Sequence, residues 1–143
     1  MTELTVRPAV AMDVAAITLF DHLAAEGDEH RREFIRLAVE RQACLVVLLD
    51  DRIVGYGVLE YTFFGYGFVS MLYVHKDHRR QRIGQKLLAA LERSCKTPKL
   101  FTSTNLSNLP MQALLDRQGY LPSGVIHNLD EGDPELVYFK PIR

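Results

Sequence analysis

Apolar residues follow two kinds of spacing in the first third of the chain. Residues 3–7 alternate as in an edge strand, which Pro8 ends because proline cannot donate a ladder hydrogen bond. Apolar side chains then recur at helical spacing over residues 14–23, up to Gly27, and again over the more charged residues 30–42. This part of the chain therefore predicts one strand followed by two helices.

Strand-like runs dominate the middle of the chain. Residues 44–49 are continuously apolar, residues 50–52 form a polar turn, and residues 53–63 are rich in β-branched and aromatic side chains, which is the pattern of a hairpin. After a second turn, residues 68–74 predict another strand. We therefore expect three consecutive strands before the next helix.

The second half of the chain returns to helical spacing twice. A helix is predicted from Ile83 and is closed by Pro98, because proline cannot continue a helix. Residues 99–104 predict a short strand. Another helix follows, with Pro110 in its first turn and Gly119 just past its end, which are the positions these residues favour.

Two last strands are predicted at residues 125–129 and 136–140. The full order is β-α-α-β-β-β-α-β-α-β-β, which implies a mixed central sheet of about seven strands with helices on both faces. The fold class is therefore α/β, or α+β layered. At 143 residues with 48% apolar side chains, the chain is expected to form a single domain over residues 1–143.

Neither a membrane segment nor a metal site is expected. Apolar runs stay shorter than the roughly 18 residues of a membrane helix, and the N-terminus lacks the features of a signal peptide, so we expect a cytoplasmic protein with no membrane partner. Cys44 and Cys95 are expected to be reduced, buried thiols. His75 and His78 flank a loop without further ligands, which argues against a metal.

Positive charge is concentrated in one short segment, residues 76–86. The net charge of −1 argues against a nucleic-acid partner, yet this segment carries five cations against Asp77 alone. It joins a predicted strand to a predicted helix, whose first N–H groups stabilise phosphate oxygens, and Gly84 lets a ligand approach the main chain. It therefore indicates an anion site; the plainer alternative is a solvated helix start. The cations are Lys76, Arg79, Arg80, Arg82 and Lys86.

The same segment resembles motif A of the GNAT superfamily of N-acetyltransferases. The core of that motif is Arg/Gln-x-x-Gly-x-Gly/Ala after a strand that ends in Leu-x-Val. In this chain residues 72–74 end the strand, Arg79 opens the pattern and Gly84 closes it. Arg82 stands where the family usually has its first glycine, a departure that the turn tolerates if residue 82 keeps a negative φ and contributes mainly its N–H.

The resemblance extends over nearly the whole chain. Arg7 followed by Asp13 resembles the opening strand and helix of the family. Asn108, with Gly119 and Tyr120 further on, resembles its later helix and the aromatic residue that follows. The order of elements agrees as well, so the resemblance implies the GNAT fold.

Acetyl-CoA is the co-substrate that the resemblance implies. Main-chain groups of residues 72–74 would pair with the pantetheine arm, where strands 68–74 and 99–104 splay apart, and N–H groups of residues 80–85 would hold the pyrophosphate. Asn108 would cap its helix and contact the pantetheine, or serve only as the cap. The implied coenzyme-binding residues are Leu72, Tyr73, Val74, Arg79, Arg80, Arg82, Ile83, Gly84, Gln85, Lys86 and Asn108.

The resemblance also implies a reaction, in which an amine attacks the thioester directly in a ternary complex. The backbone N–H of Leu72 is the expected oxyanion donor. The family's usual catalytic pair is missing, because Leu115 occupies the usual tyrosine position and Phe68 and Ser70 occupy the usual glutamate positions. Thiolates are modest bases at neutral pH, so the loss of the acid need not abolish turnover, and a water chain can remove the amine proton.

Glu60 is our first choice for the base. A carboxylate beside Leu59 and Tyr61 would be partly desolvated, although a solvent-facing glutamate on a half-exposed strand is the plainer interpretation. The other candidates for a catalytic role are Ser70, Tyr61, and Tyr73 or Tyr120, and Tyr73 would otherwise serve in packing.

Three questions stay open at the level of sequence. The acceptor is either a small-molecule amine or a peptide amine, drawn to the acidic residues 26–29 unless these are only solvated. Phe63, Phe64 and Tyr66 would line an acceptor pocket or a homodimer edge. The alternative function is a non-catalytic acyl-CoA sensor or interaction module of the same fold, because the usual catalytic residues are absent.

Overall fold

The protein consists of a seven-stranded mixed sheet and helices. A computed structural model describes residues 3–79 and 82–142. The strands are β1 Leu4–Pro8, β2 Cys44–Leu49, β3 Arg52–Phe63, β4 Tyr66–Val74, β5 Lys99–Asn105, β6 Leu121–Ile126 and β7 Glu135–Pro141. The helices are α1 Asp13–Phe20, α2 His22–Ala25, α3 Glu29–Glu40, α4 Ile83–Ser94 and α5 Leu109–Arg117, with a 3-10 turn at Lys76–His78.

The strands lie in the order β1-β2-β3-β4-β5-β7-β6. β1 and β2, β2 and β3, β5 and β7, and β6 and β7 pair antiparallel, whereas β4 pairs parallel with β5 from Gly67↔Leu100 to Val69↔Thr102. The mixed α/β fold predicted from the sequence is confirmed. The predicted splay of β4 and β5 beyond this pairing stays a prediction.

The described residues fall into two compact units. The first contains the chain up to Leu59 together with Met71–Leu91, and the second contains Glu60–Ser70 and the chain from Glu92 onward. β3 and β4 each contribute to both units. That residues 1–143 form a single domain stays a prediction. Within the part of the chain that the structure describes, no helix is both long and apolar enough to cross a membrane.

Alternate residues of β3 pack against different helices in the first unit. Tyr56 is fully buried in the core cluster that α1, α2 and α3 form with β2 and β3. On the other face a Cβ at Gly57 would lie 2.8 Å from Leu91 Cδ1, and one at Gly55 would lie 3.5 Å from Ile83 Cγ2. The two glycines therefore let α4 lie close against β3.

The same close packing brings the start of α4 to the end of β4. A Cβ at Gly55 would also lie 3.0 Å from the carbonyl oxygen of Tyr73. One position on β3 thus touches both β4 near its last residue and the first residue of α4, Ile83. We did not assign this role to Gly55 from the sequence.

The first predicted helix is wrong as a single segment. It is interrupted at Asp21, which has φ −73° and ψ 111°, so that α1 ends at Phe20 and α2 begins at His22. The Asp21 carboxylate accepts hydrogen bonds from the N–H groups of Leu23 and Ala24. An aspartate that caps a new turn competes with continuation of the helix, which explains the break.

The penultimate strand was also placed wrongly, too far along the chain. β6 covers Leu121–Ile126 instead of residues 125–129. Its register with β7 shifts between Pro122 and Gly124, and Gly124 has φ 156°. A bulge of this kind interrupts the alternation of side chains from which a strand is predicted.

Asp13, in the first turn of α1, makes the stability of the fold depend on pH. Two Arg7 nitrogens donate to its carboxylate at 2.7 and 3.1 Å, and the Val10 N–H donates at 2.7 Å. The hydrogen bonds from Arg7 lower the pKa of Asp13, against the opposing effect of burial. A lowered pKa in the folded state contributes stability above the unfolded pKa, and this contribution is lost as pH falls through the folded value.

We therefore expect the urea midpoint of the wild-type protein to fall more steeply on acidification, from about pH 4 downward, than that of Asp13→Asn. Asp116→Asn, which removes an exposed carboxylate from α5, serves as the control and should keep the wild-type slope. Equal slopes for wild type and Asp13→Asn would contradict the assignment.

Candidate active site

β4 leads into a tight turn whose main chain is held by hydrogen bonds. Directly after Val74, the last residue of β4, His75 donates its N–H to the carbonyl of Val54 on β3 at 2.7 Å. The His75 ring accepts the N–H of Asp77 at 3.1 Å and so caps the 3-10 turn. The chain therefore leaves the sheet in a defined direction.

Arg79 lies across the end of β4. Its Nε donates to the carbonyl oxygen of Val74 at 3.3 Å, and its guanidinium carbon lies 6.0 Å from the centre of the Tyr73 ring, within cation–π range. An exposed positive charge is thus kept beside the last residues of the strand. The predicted phosphate contact of Arg80 lies outside the described residues.

The N-terminus of α4 offers main-chain donors. Lys86 donates its N–H to the carbonyl of Arg82 at 3.0 Å. The preceding residues Ile83, Gly84 and Gln85 form the first turn, and N–H groups of a first turn have no acceptor within their own helix. With the helix dipole and the nearby cations, they form an arrangement that fits a phosphate or diphosphate group.

Arg82 adopts a left-handed backbone conformation, with φ 62°. The condition under which an arginine would be tolerated here, a negative φ, is therefore not met. A glycine, which the family usually has here, enters this region without steric cost, whereas a side chain brings Cβ against the next carbonyl at a cost of roughly 1–2 kcal/mol. The arginine therefore adds charge to the turn and adds backbone strain as well.

We expect Arg82→Gly to be more stable than Arg82→Ala by about 1 kcal/mol, because only glycine relieves the strain. Both variants lose the same charge, so the difference between them reports the backbone alone. The free energy of unfolding in urea measures it. An alanine variant as stable as the glycine variant would show that φ at this residue is not strained in solution.

Tyr73 connects β4 to helix α2. Its hydroxyl oxygen accepts the backbone N–H of His22 at 3.0 Å and lies 2.6 Å from the Nδ1 of the same residue. The ring of Tyr73 packs 6.0 Å from Phe20 and 6.0 Å from Tyr56, measured between ring centres. Sequence reasoning missed His22, and no local signal pointed to it, because the pair is separated by 51 positions.

A buried carboxylate stands next to this pair. Asp21, with no exposed surface, accepts hydrogen bonds from the Tyr56 hydroxyl at 2.5 Å and from Arg31 Nη1 at 2.6 Å. Burial, and then the hydrogen bond to the carboxylate, raises the pKa of Tyr56. A lone aspartate in an otherwise apolar stretch was the only sequence signal for this cluster.

The remaining candidates lie in the second unit. Glu60, on β3, is half-buried, and the hydroxyl oxygen of Ser70, on β4, is buried without a hydrogen-bond partner among the described residues. Asn108 caps α5, as predicted, by accepting the N–H of Met111 at 3.2 Å. Leu115 is fully buried. The catalytic roles of Glu60 and Ser70 stay predictions, as does a contact between Asn108 and pantetheine.

The described residues contain no group of three or more His, Cys, Asp and Glu side chains that could hold a metal ion. The rings of His75 and His78 lie edge to face, with their centres 5.3 Å apart. Cys44 and Cys95 are both buried, as expected, and burial raises the pKa of Cys44 to about 12. Cys44 therefore lacks the low pKa of a reactive cysteine.

Comparison with known proteins points in one direction. The model of the acetyltransferase (GNAT) family matches residues 12–120. A crystal structure of an acetyltransferase of the GNAT family from Bacillus cereus is 32% identical, covers 97% of each chain and superposes with a TM-score of 0.91. No match was found among the curated proteins.

More distant solved structures share the fold. A Salmonella typhimurium protein determined with its cofactor acetyl-CoA is 21% identical, with 98% of this chain and 94% of the other covered and a TM-score of 0.79. The ribosomal-protein-S18-alanine N-acetyltransferase of Escherichia coli is 17% identical, with the same coverage and a TM-score of 0.80.

Proposed function

Because the chain belongs to the GNAT family of acetyltransferases, we propose that it transfers an acetyl group from acetyl-CoA to an amine by direct attack in a ternary complex. The observation that carries this proposal is the positive, donor-rich junction between β4 and α4. Strand end, cationic side chains and helix N-terminus meet there within one compact unit. A diphosphate fits such a set of donors.

In this proposal each part of the junction binds one part of the coenzyme. The main chain at the end of β4 takes up the pantetheine amides as an added strand would, the first turn of α4 binds the pyrophosphate, and the cations neutralise its charge. The residues are Leu72, Tyr73, Val74, Arg79, Arg82, Ile83, Gly84, Gln85 and Lys86.

The chemistry that the protein must supply is limited. The N–H of Leu72 stabilises the oxygen that becomes negative when the amine nitrogen bonds to the carbonyl carbon. A base takes the proton of the attacking amine, and the carbon–sulfur bond breaks to release the thiol, whose proton comes from water. Glu60 and Ser70 stay the candidates that the sequence offers for this base. The buried hydroxyl of Ser70 has no hydrogen-bond partner among the described residues, which supports a role in binding a ligand or water.

The second candidate function is a non-catalytic acyl-CoA sensor. Leu115 favours it, because a fully buried leucine stands where the family usually carries the tyrosine that protonates the thiolate. Both functions require coenzyme binding, so only turnover separates them. We place either function in the cytoplasm, a reducing compartment in which buried thiols such as those of Cys44 and Cys95 stay reduced.

Titration of the protein with acetyl-CoA and with CoA in a calorimeter, followed by a thiol-release assay with panels of small amines and peptides, tests the proposal. Binding in the micromolar range with thiol release on adding an amine is the expected result. Binding without release from any amine would favour the sensor, and absence of binding would overturn both. The first amine to react would begin to define the acceptor.

A further inference from the structure

The hydroxyl of Tyr73 and the imidazole of His22 form a short hydrogen-bonded pair. The backbone N–H of His22 is only a donor, so it occupies a lone pair of the Tyr73 oxygen at 3.0 Å. The proton of the hydroxyl is then available for His22 Nδ1, 2.6 Å away. In the neutral ring this places the remaining proton on Nε2, on an exposed side chain.

Protonation of the ring reverses the direction of this hydrogen bond. With a proton on Nδ1, His22 donates to the Tyr73 oxygen, which then accepts two N–H groups and turns its own proton outward. The pair therefore has two states that differ by one proton and need no movement of heavy atoms. Such a pair passes a proton between an outside group and the imidazole.

Tyr73 also stands at the right place in the chain. It directly follows Leu72, whose N–H we propose as the oxyanion donor, and its half-buried ring is held against Phe20 and Tyr56. A hydroxyl held in this way loses little freedom on meeting a substrate.

We propose that Tyr73 and His22 form the proton relay for the attacking amine. As the amine nitrogen bonds to the thioester carbonyl carbon, its proton moves to the Tyr73 oxygen while the Tyr73 proton moves to His22 Nδ1; the imidazolium later returns a proton to water. The relay rests on the proposed function. It supplies the base for which Glu60 was our candidate from the sequence.

Several charged groups surround the pair and set its response to pH. Asp21 lies at the capped start of α2, and its carboxylate accepts hydrogen bonds from Tyr56 and from Arg31 of α3. Two further groups lie in the turn after β4. Arg79 lies over the Tyr73 ring, and His75 packs on Phe20 of α1 with ring centres 5.6 Å apart. Asp21 acts as a positioning residue, since its cap fixes the main chain at His22.

The test is to compare Tyr73→Phe, His22→Gln and the double variant with wild type. We expect kcat to fall about 100-fold in each single variant and no further in the double variant, because one relay is broken in all three. The acid limb of the kcat profile should disappear in His22→Gln, whereas the Kd for acetyl-CoA should change less than about twofold. Tyr138→Phe and His127→Gln remove the same groups elsewhere in the chain and should behave as wild type.

The experiment distinguishes failure of the relay from failure of the proposed function. If wild type turns over an amine and either His22→Gln or Tyr73→Phe keeps its kcat and pH profile, the relay is overturned and the acetyltransferase stands. If wild type binds acetyl-CoA but releases no thiol with any amine, the proposed function is overturned and the relay with it. His22→Gln changes an exposed side chain and decides the matter even if Tyr73→Phe does not fold.

Discussion

Gly84→Val is expected to weaken acetyl-CoA binding by about 100-fold or more. The reason is that Gly84 lies in the first turn of α4, where the main-chain N–H groups would meet the pyrophosphate, and a β-branched side chain in that turn hinders the close approach of a ligand to the main chain. Loss of one or two charge-assisted hydrogen bonds, at about 1.5–3 kcal/mol each, corresponds to a factor of this size. Calorimetric titration with acetyl-CoA measures it directly.

Unfolding would not explain such a loss. Valine is a slightly better helix residue than glycine, so the helix itself should be as stable in the variant as in the wild type. Arg93→Val places the same side chain at an exposed position in the last turn of the same helix and should retain wild-type affinity. If Gly84→Val binds acetyl-CoA with unchanged Kd, the site assignment fails for the enzyme and for the sensor alike.

Local sequence patterns were sufficient to predict the elements whose structure depends mainly on their own residues. The continuous apolar run predicted β2 at its observed bounds, Cys44–Leu49, and strong helical spacing predicted the start of α4 at Ile83. The coenzyme motif is also contiguous, so its strand, turn and helix could be recognised together.

The sequence was insufficient to predict features that depend on contacts between distant segments of the chain. Gly55 and Gly57 look like ordinary residues of a strand until α4 is packed on them, and Tyr73 finds its partner 51 positions away. The left-handed φ of Arg82 is opposed to the conformational preference of an arginine. Each of these features depends on tertiary structure, which periodicity does not report.

Asp21 is the residue whose removal should damage the fold most. Asp21→Ala would leave the buried Tyr56 hydroxyl without an acceptor, Arg31 without its counter-charge and α2 without its cap. Breaking a buried, hydrogen-bonded ion pair from one side costs about 3–5 kcal/mol, and the free energy of unfolding in urea should fall by about that amount. The same loss would loosen His22, which directly follows Asp21.

Asp28→Ala is the matched control, because it removes an aspartate whose carboxylate only caps α3, by accepting the Arg31 N–H at 3.0 Å on the surface. Its expected cost is about 1 kcal/mol. Adding Tyr56→Phe to Asp21→Ala removes the unpaired hydroxyl and should recover about 1–3 kcal/mol. If Asp21→Ala costs no more than Asp28→Ala, the buried cluster does not hold α2 in place, and the orientation of His22 toward Tyr73 must come from α2 alone.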